Sequence, residues 1–290
     1  MLVTGATGYL GAVVVTRLGG RAEVLTPRLE LTETDVVAAA VDSLRPDAVI
    51  HTAARNPGTE GAGARTFRAA NAEGTAALAR ALAALDPRGA GGCRLVHVSS
   101  DVVHDGTAAP YADEARPTPV GPYARSKAEA EAVVAELLPE AAVVRTSLIY
   151  GLDRVDRSTG GFLERLDRGE RVGLFRDVVR QPVRVEDLAD ALIRLAVERT
   201  DVAGPLNVAG DEAIDRATFA RLLLARWQLP ADAAARIDDV EAASVAPEVP
   251  RDLRLRLDRA RELGLATPGV HAVLAAHRAE AQPPPRSSAG

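Results

Sequence analysis

Tyr123 and Lys127 are the pair of side chains in this sequence best suited to move a proton. They stand four residues apart in a predicted helix over 121–138, so both side chains share one face, one turn apart. A free tyrosine has a pKa of about 10, and a cation one turn away favours the phenolate. We therefore expect Lys127 to lower the pKa of Tyr123 and to suit the phenol to acid/base chemistry.

Ser100 supplies a hydroxyl at the end of a predicted strand over 94–98. That strand delivers Ser99, Ser100 and Asp101 at its carboxyl end, which is the edge where ligands bind in open α/β sheets. Ser100 is suited to hold a substrate oxygen, and Asp101 either orients substrate or caps the turn. A Tyr-x-x-x-Lys pair alone is common on exposed helices, so its meaning depends on the elements around it.

A glycine-rich turn opens the chain and predicts a nucleotide site. A short apolar strand runs into three glycines spaced G-x-x-G-x-x-G, and a helix over 9–18 follows at once. Gly5 permits a tight turn, Gly8 lets backbone approach a pyrophosphate, and Gly11 lets the helix pack on the sheet. The helix N-terminus then faces the phosphate. The predicted contacts from this turn are Gly5, Thr7, Gly8, Tyr9, Leu10 and Gly11.

Strands and helices alternate through the first half of the chain, which predicts a parallel, doubly wound sheet of the α/β class. Further predicted strands are 22–26, 29–31, 48–54, 141–145 and 206–209. Further predicted helices are 32–44 with a capping box at its start, an Ala-rich helix ending at 85, 186–199, and one capped by Asp215 that reaches 228.

The alternation breaks after residue 151, which suggests two lobes. Residues 1–151 are expected to form a dinucleotide-binding domain to which 178–209 partly return, and 152–281 mainly a smaller substrate-binding lobe. Residues 282–290, with three successive prolines, are expected to be a disordered tail. The first strand is short by a residue or two, so we expect the true start codon to lie upstream.

The residues at the end of the strand predicted over 22–26 favour NADPH as the cofactor. That position normally carries the acidic residue that binds the adenosine ribose of NAD. Here Thr26, Pro27 and Arg28 follow one another, and a cation without a carboxylate suits a 2′-phosphate. NADH stays the alternative, because Arg28 is equally well explained as a solvated loop residue.

Composition argues against several classes of function. The net charge of −5 argues against a general nucleic-acid or anionic-membrane binder. Cys93 is the single cysteine, so we expect no disulfide framework, no zinc cluster and no metal site. No apolar run approaches membrane-spanning length, and the expected compartment is the cytoplasm. His51 and Cys93 are expected to be structural residues.

Several motifs together resemble a known family. The residues that carry the likeness are 3–11, 29–32, 45–51, 96–101, 104–106, 110–111, 123–127, 145–147, 150–151, 181–182 and 186–189. On these the chain resembles an extended short-chain dehydrogenase/reductase, and within that group the dTDP-4-dehydrorhamnose reductase, or sugar-nucleotide-binding, family. The likeness covers nearly the whole chain except the tail.

The resemblance implies a Rossmann-type domain with a C-terminal substrate lobe and a nicotinamide cofactor. It also implies a catalytic triad of Ser100, Tyr123 and Lys127. The implied cofactor contacts beyond the glycine turn and Arg28 are Glu30, Leu31, Thr52, Ala53, Ala54, Tyr123 and Lys127.

Departures from the family pattern concern the sugar rather than the cofactor. The stretch 53–57 lacks the family's usual residues, and Leu148 replaces a tryptophan. Val102 stands where 4,6-dehydratases place a glutamate that moves a carbon-bound proton. Fucose-type epimerase-reductases have a cysteine at the position of Asp101. Four-epimerases have an acidic residue after the second strand, where this chain has none. A simple ketone reductase needs only what this chain has.

We therefore expect an NADPH-dependent reductase of a 4-keto-6-deoxy nucleotide sugar that forms a homodimer and binds neither nucleic acid nor membranes. Arg180, just before Gln181 and Pro182, is predicted to pair with the substrate diphosphate, because a guanidinium grips phosphate oxygens bidentately. The alternatives are a non-catalytic NADP-binding regulatory subunit, like the β-subunit of the methionine adenosyltransferase system, and a nucleotide-sugar epimerase of the same family.

Overall fold

The computed structural model describes residues 1–85, 92–229 and 231–277. The predicted tail at 282–290 lies outside them. The strands are β1 (Leu2–Thr4), β2 (Ala48–His51), β3 (Arg94–Ser100), β4 (Ala142–Thr146), β5 (Ile149–Tyr150), β6 (Val172–Phe175), β7 (Val179–Arg180), β8 (Val183–Arg184), β9 (Gly204–Asn207), β10 (Ile214–Asp215) and β11 (Ile237–Val240). The central sheet has the spatial order β1-β2-β3-β4-β9, and every pair in it is parallel.

The helices lie between these strands and after them. They are α1 (Tyr9–Leu18), α2 (Thr34–Leu44), α3 (Ala64–Phe67), α4 (Gly74–Leu85), α5 (Gly121–Leu137), α6 (Arg157–Asp167), α7 (Val185–Val197), α8 (Arg216–Arg226), α9 (Ala231–Ala234), α10 (Ala242–Val245), α11 (Asp258–Glu262) and α12 (Val270–Ala276). A π-helical segment, Arg68–Glu73, joins α3 to α4, and a 3₁₀ turn, Asp101–Val103, follows β3. No helix among the described residues is both long and apolar enough to cross a membrane.

Helices cover both faces of the central sheet. Successive residues of a strand point to opposite faces, so Val3, Ile50 and Val96 pack in a core with α1 and α7. Leu2 and Leu95 point the other way and pack with α2, α4 and α5. The prediction of a doubly wound, Rossmann-type parallel sheet is therefore confirmed, and the carboxyl ends of its strands lie along one edge.

A separate apolar cluster lies in the second half of the chain. Leu152, Leu166 and Trp227 are buried there with side chains from β6, β11 and α12. The Trp227 ring donates to the carbonyl of Leu152 at 2.9 Å, so its one polar atom is satisfied. The prediction that Asp215 caps a helix is confirmed, because its carboxylate accepts from the Thr218 N–H at 2.9 Å.

Three local predictions between α1 and β2 are wrong. Residues 22–26 form no strand, only a single parallel bridge between Leu25 and Leu2, because Pro27 follows and has no N–H to extend a ladder. Residues 29–31 are also not a strand. The capping box is absent: helix α2 has Glu33 as N-cap without a side-chain bond, and Thr32 donates instead to the Glu30 carboxylate at 2.8 Å.

Candidate active site

The glycine turn between β1 and α1 has no room for side chains. Gly5 has a φ of +69°, a conformation that favours glycine. A Cβ on Gly11 would lie 2.1 Å from the Gly5 carbonyl oxygen, and one on Gly5 would lie 2.7 Å from the Ala53 nitrogen. Thr7 and Gly8 are exposed at the N-terminus of α1. The turn therefore offers bare backbone at a helix N-terminus, which suits a pyrophosphate.

The other predicted cofactor contacts are distributed around this turn. The Thr52 hydroxyl donates to the Thr4 carbonyl at 2.8 Å, which holds the end of β2 against β1. Leu10 is buried, so its side chain is not available to a ligand. Arg28 and Glu30 are exposed, whereas the Leu31 side chain is buried. The remaining predicted contacts lie at the carboxyl edge of the sheet, for Ala53 and Ala54, or on α5, for Tyr123 and Lys127.

Tyr123 and Lys127 lie one turn apart on α5, which packs against β3 and the 3₁₀ turn that follows it. The Lys127 ammonium is buried and donates to the carbonyl of Val98 on β3 at 2.6 Å. The Tyr123 hydroxyl donates to the Asn56 side-chain oxygen at 3.0 Å. Helix α5 thus brings both groups to the strand that ends in Ser100.

Ser100 is the last residue of β3 and caps the 3₁₀ turn. Its hydroxyl accepts weakly from the Val102 N–H at 3.4 Å and donates to the Asp101 carboxylate at 3.2 Å. Both contacts are long for hydrogen bonds of these types. The hydroxyl is therefore free to rotate toward a ligand oxygen at the sheet edge.

The pKa of Tyr123 differs from the prediction. Burial and then the nearby Asp101 carboxylate raise the pKa of Tyr123 to about 12, with Arg180 acting in the opposite direction. Burial lowers the pKa of Lys127 to about 8, against the opposing charge of Glu131. The prediction of a lowered pKa for Tyr123 is therefore wrong, because burial and Asp101 outweigh the effect expected of Lys127.

A buried asparagine in the π-helical segment holds the loop that reaches Tyr123. The Asn71 side chain accepts from the Arg55 N–H at 2.7 Å and donates to the Arg55 carbonyl at 3.0 Å. It also donates to the Ser126 hydroxyl on α5 at 3.0 Å. The next residue in the loop, Asn56, contacts Tyr123, so the π-segment fixes this loop relative to α5. Sequence reasoning missed both asparagines, because a π-segment leaves no clear pattern.

A comparison with protein-family models identifies the family of this chain. The family model described as the RmlD substrate binding domain matches residues 1–274. The chain belongs to this family. The match covers the glycine turn, the Tyr123–Lys127 helix and the second apolar cluster together, so the resemblance inferred from the motifs is confirmed.

Proteins similar to this chain include both reductases and a methionine adenosyltransferase subunit. dTDP-4-dehydrorhamnose reductase of Sinorhizobium fredii is 26% identical over 286 residues, which cover 92% of this chain and 93% of that protein. Methionine adenosyltransferase 2 subunit beta of Bos taurus is 27% identical over 283 residues, covering 91% and 82%. The structure of dTDP-4-dehydrorhamnose reductase from Bacillus anthracis in complex with NADP superposes with a TM-score of 0.82 at 22% identity, over 96% of this chain and 98% of that one.

Asp101 and Arg180, two of the three residues predicted to contact substrate, the third being Ser100, pair with each other in this family member. The Arg180 Nε donates to Asp101 Oδ2 at 2.7 Å, and its Nη2 donates to Oδ1. The Asp101 side chain is fully buried and that of Arg180 is 10% exposed. The pair ties the end of β3 to β7. Contact between Arg180 and a substrate phosphate stays a prediction, and it would use the guanidinium edge that Asp101 leaves open.

Arg216 is a second cation beside Arg180 that sequence reasoning missed. It begins α8, directly after the antiparallel pair of β7 and β10, and its N–H donates to the Val178 carbonyl at 3.1 Å. Burial and then the neighbouring Arg180 lower its pKa, with Asp156 opposing. Its guanidinium has no hydrogen-bond partner among the described residues. The capping residue Asp215 predicted the start of α8, but it did not indicate that Arg216 lies beside Arg180.

Lys127 also stands out by composition. It is the only lysine in the sequence, and the other 34 of the 35 basic residues are arginine. An arginine keeps its proton in proteins and presents a planar fork, whereas a lysine is a compact ammonium whose pKa shifts on burial. The protein therefore has its single ammonium side chain at the buried position one turn from Tyr123.

Proposed function

We propose that the chain is an NADPH-dependent reductase that converts the ketone of a 4-keto-6-deoxy nucleotide sugar to an alcohol. The observation that carries the proposal is the junction of β3 with α5. There the single lysine of the protein is buried against β3, one turn from Tyr123 and close to Ser100. That combination would supply a proton donor and a neighbouring cation, which a protein that only binds nucleotide does not need.

The glycine turn would hold the cofactor. The pyrophosphate would lie on the bare backbone from Gly5 to Gly11 at the N-terminus of α1. Thr52, Ala53 and Ala54 would lie along it, and Glu30 and Leu31 near adenine. Exposed Arg28 would meet the 2′-phosphate, which is why we favour NADPH over NADH. When bound, this cofactor supplies the hydride that reduces the ketone carbon.

The chain's own residues would donate the proton and stabilise the charges that develop. With a pKa of about 12, Tyr123 is protonated at neutral pH and is a proton donor. Its O–H bond would break as the new O–H bond forms on the ketone oxygen. Lys127 would stabilise the phenolate left behind and would also hold the nicotinamide ribose of a bound cofactor. The Ser100 hydroxyl, only weakly bonded now, would rotate to donate to the developing alkoxide.

The nucleotide part of the substrate would lie against the second lobe. Arg180 and Arg216 lie close enough for their charges to interact, and a diphosphate would relieve that repulsion. Asp101 would orient the sugar or hold Arg180. We propose that residues 1–151, with 178–209, bind the cofactor and that 152–281 mainly bind the sugar nucleotide. We further propose a homodimer that acts in the cytoplasm.

Oxidation of NADPH by the purified protein tests this proposal against the regulatory-subunit alternative. The alternative has support in the 27% identity to a methionine adenosyltransferase β-subunit. The assay follows loss of NADPH absorbance with a panel of dTDP-4-keto-6-deoxy sugars. The reductase proposal expects turnover with at least one of them. Tight NADPH binding without turnover on any member of the panel would support the regulatory role instead.

A further inference from the structure

Glu131 is a buried carboxylate two turns along α5 from Tyr123. Tyr123, Lys127 and Glu131 are spaced by four residues each, so their side chains follow one face of the helix. Glu131 is only 6% exposed. A carboxylate at this depth requires partners, and the proton transfer described above does not use it.

Arg145 on β4 is the principal partner of Glu131. Its Nε lies 3.1 and 3.2 Å from the two carboxylate oxygens, and its Nη2 donates to Oε2 at 2.8 Å. Its Nη1 donates to the carbonyls of Asp113 and Ala115 at 2.9 and 2.8 Å. The guanidinium is 2% exposed. Each nitrogen therefore has an acceptor, as a buried charge pair needs if it is to hold one geometry.

Ser99 joins the same carboxylate to β3, the strand that ends in Ser100. Its hydroxyl donates to Glu131 Oε1 at 2.5 Å, and the next residue in β3 is Ser100. One carboxylate thus connects the strand that ends in Ser100 with the helix that carries Tyr123 and Lys127. Sliding of α5 along β3 would break this hydrogen bond and change the separation of the Ser100 and Tyr123 hydroxyls.

Glu131 is also the charged neighbour that favours the ammonium form of Lys127. The titratable groups around Lys127 are Tyr123 and Glu131 on α5, His97 on β3 and His51 on β2, with Asp101 acting on Tyr123. Burial, reinforced by the charge of Lys127, lowers the pKa of His51 to about 3 and that of His97 well below its usual range. Both histidines are therefore neutral, and Glu131 opposes the burial that lowers the pKa of Lys127.

We propose that Glu131 is a positioning residue for the reduction: through Ser99 it fixes α5 against β3, and through its charge it keeps Lys127 an ammonium. This inference rests on the proposed function. Its consequence is that the rate should depend on Glu131 although Glu131 touches neither substrate nor cofactor. Above the pKa of Lys127, the phenolate of Tyr123 loses its stabilising cation and turnover should fall.

The charge is tested first, by direct titration of Lys127. Because the protein has one lysine, labelling with lysine carrying ¹³C at Cε gives a single NMR signal whose pH dependence reports that group. Glu131→Gln should lower the titration midpoint by about one pH unit. Glu129→Gln, the same change at an exposed site on α5, is the matched control and should leave the midpoint unchanged.

A double variant separates the effect of losing the Glu131 carboxylate from the effect of leaving Arg145 unpaired. Glu131→Gln alone leaves Arg145 buried without a counter-charge, which destabilises folding and adds a repulsive cation. Glu131→Gln/Arg145→Gln has neither charge, so its midpoint should still lie below the wild-type value, although less far below it than in the single variant. A midpoint that returns to the wild-type value in the double variant, or that does not move in either variant, would overturn the charge role.

The positioning role is tested by kinetics on Ser99→Ala, which removes the strand-to-helix bond and keeps the Glu131 charge. Its kcat should fall roughly tenfold, with unchanged NADPH affinity and an unchanged high-pH limb. Glu131→Gln should instead move that limb to lower pH. Wild-type kcat in Ser99→Ala would overturn the positioning role. Failure of the wild-type protein to reduce any keto sugar would refute the proposed function, while the NMR titration still decides the charge role.

Discussion

The free energy of unfolding is predicted to depend on Asp101 and Arg180 as a pair, because their ion pair is almost completely buried. Arg180→Met leaves the fully buried Asp101 carboxylate without its two guanidinium hydrogen bonds. Removing one partner of such a pair typically costs about 3–5 kcal/mol. Asp101→Asn leaves the guanidinium unpaired and should cost a similar amount.

The double variant Asp101→Asn/Arg180→Met measures the coupling free energy between the two residues. It contains no unpaired charge, so it should lose no more stability than either single variant, which corresponds to a coupling free energy of at least about 3 kcal/mol. The assay is urea unfolding of wild type, both single variants and the double variant. Arg171→Met, which breaks the exposed pair with Asp238, is the control and should leave the free energy of unfolding nearly unchanged.

Kinetics on the same proteins separate a structural pair from a substrate contact. If Arg180 also binds the diphosphate, the folded double variant should still show a raised KM for the nucleotide sugar. A wild-type KM there would remove Arg180 from the substrate site and leave it a link between β3 and β7. Strictly additive single changes, with a coupling under about 0.5 kcal/mol, would refute the inference that the buried pair acts as a unit.

Three further predictions concern cofactor and substrate binding. Arg28→Ala should weaken NADPH more than NADH and narrow the gap between their dissociation constants, because the exposed guanidinium meets a 2′-phosphate only in NADPH; tighter NADH binding by wild type in the same titrations would contradict this. Arg216→Gln should raise KM about tenfold with little change in kcat, as expected for uniform binding of a diphosphate, and an unchanged KM would exclude it from the site. Gly11→Ala should abolish binding of both cofactors in a fluorescence titration, since its Cβ would lie 2.1 Å from the Gly5 carbonyl oxygen; retained affinity would mean that the turn is not the pyrophosphate site.

Local sequence patterns predicted the elements whose signals are local. The glycine spacing and the apolar residues after it gave α1 its observed bounds, Tyr9–Leu18. The capping residue Asp215 marked α8 correctly, because the bond it makes spans only three residues. The alternation of strands and helices was sufficient for the parallel sheet, since parallel neighbours need such crossovers. The residues of 22–26 also looked like a strand, but pairing is decided by the neighbouring strand and by Pro27.

The chemistry of the site depends on contacts that no local pattern contains. The pairing of Asp101 with Arg180 spans 79 positions, and that of Tyr123 with Asn56 spans 67. The spacing of Tyr123 and Lys127 correctly predicted their shared helix face, but the proton affinity of the phenol depends on burial and on Asp101. The single lysine is a feature of the sequence alone, and it strengthens the assignment of Lys127 independently of the contacts that bury it.

Turnover of Tyr123→Phe, measured beside NADPH affinity, tests the central claim most directly. The change removes one oxygen, so packing of the ring against Phe67 should persist, and cofactor binding should survive through the glycine turn and Lys127. NADPH oxidation with a competent keto sugar should fall by about two to four orders of magnitude, the usual contribution of a positioned general acid. Wild-type turnover in Tyr123→Phe would contradict the assignment of Tyr123 as proton donor.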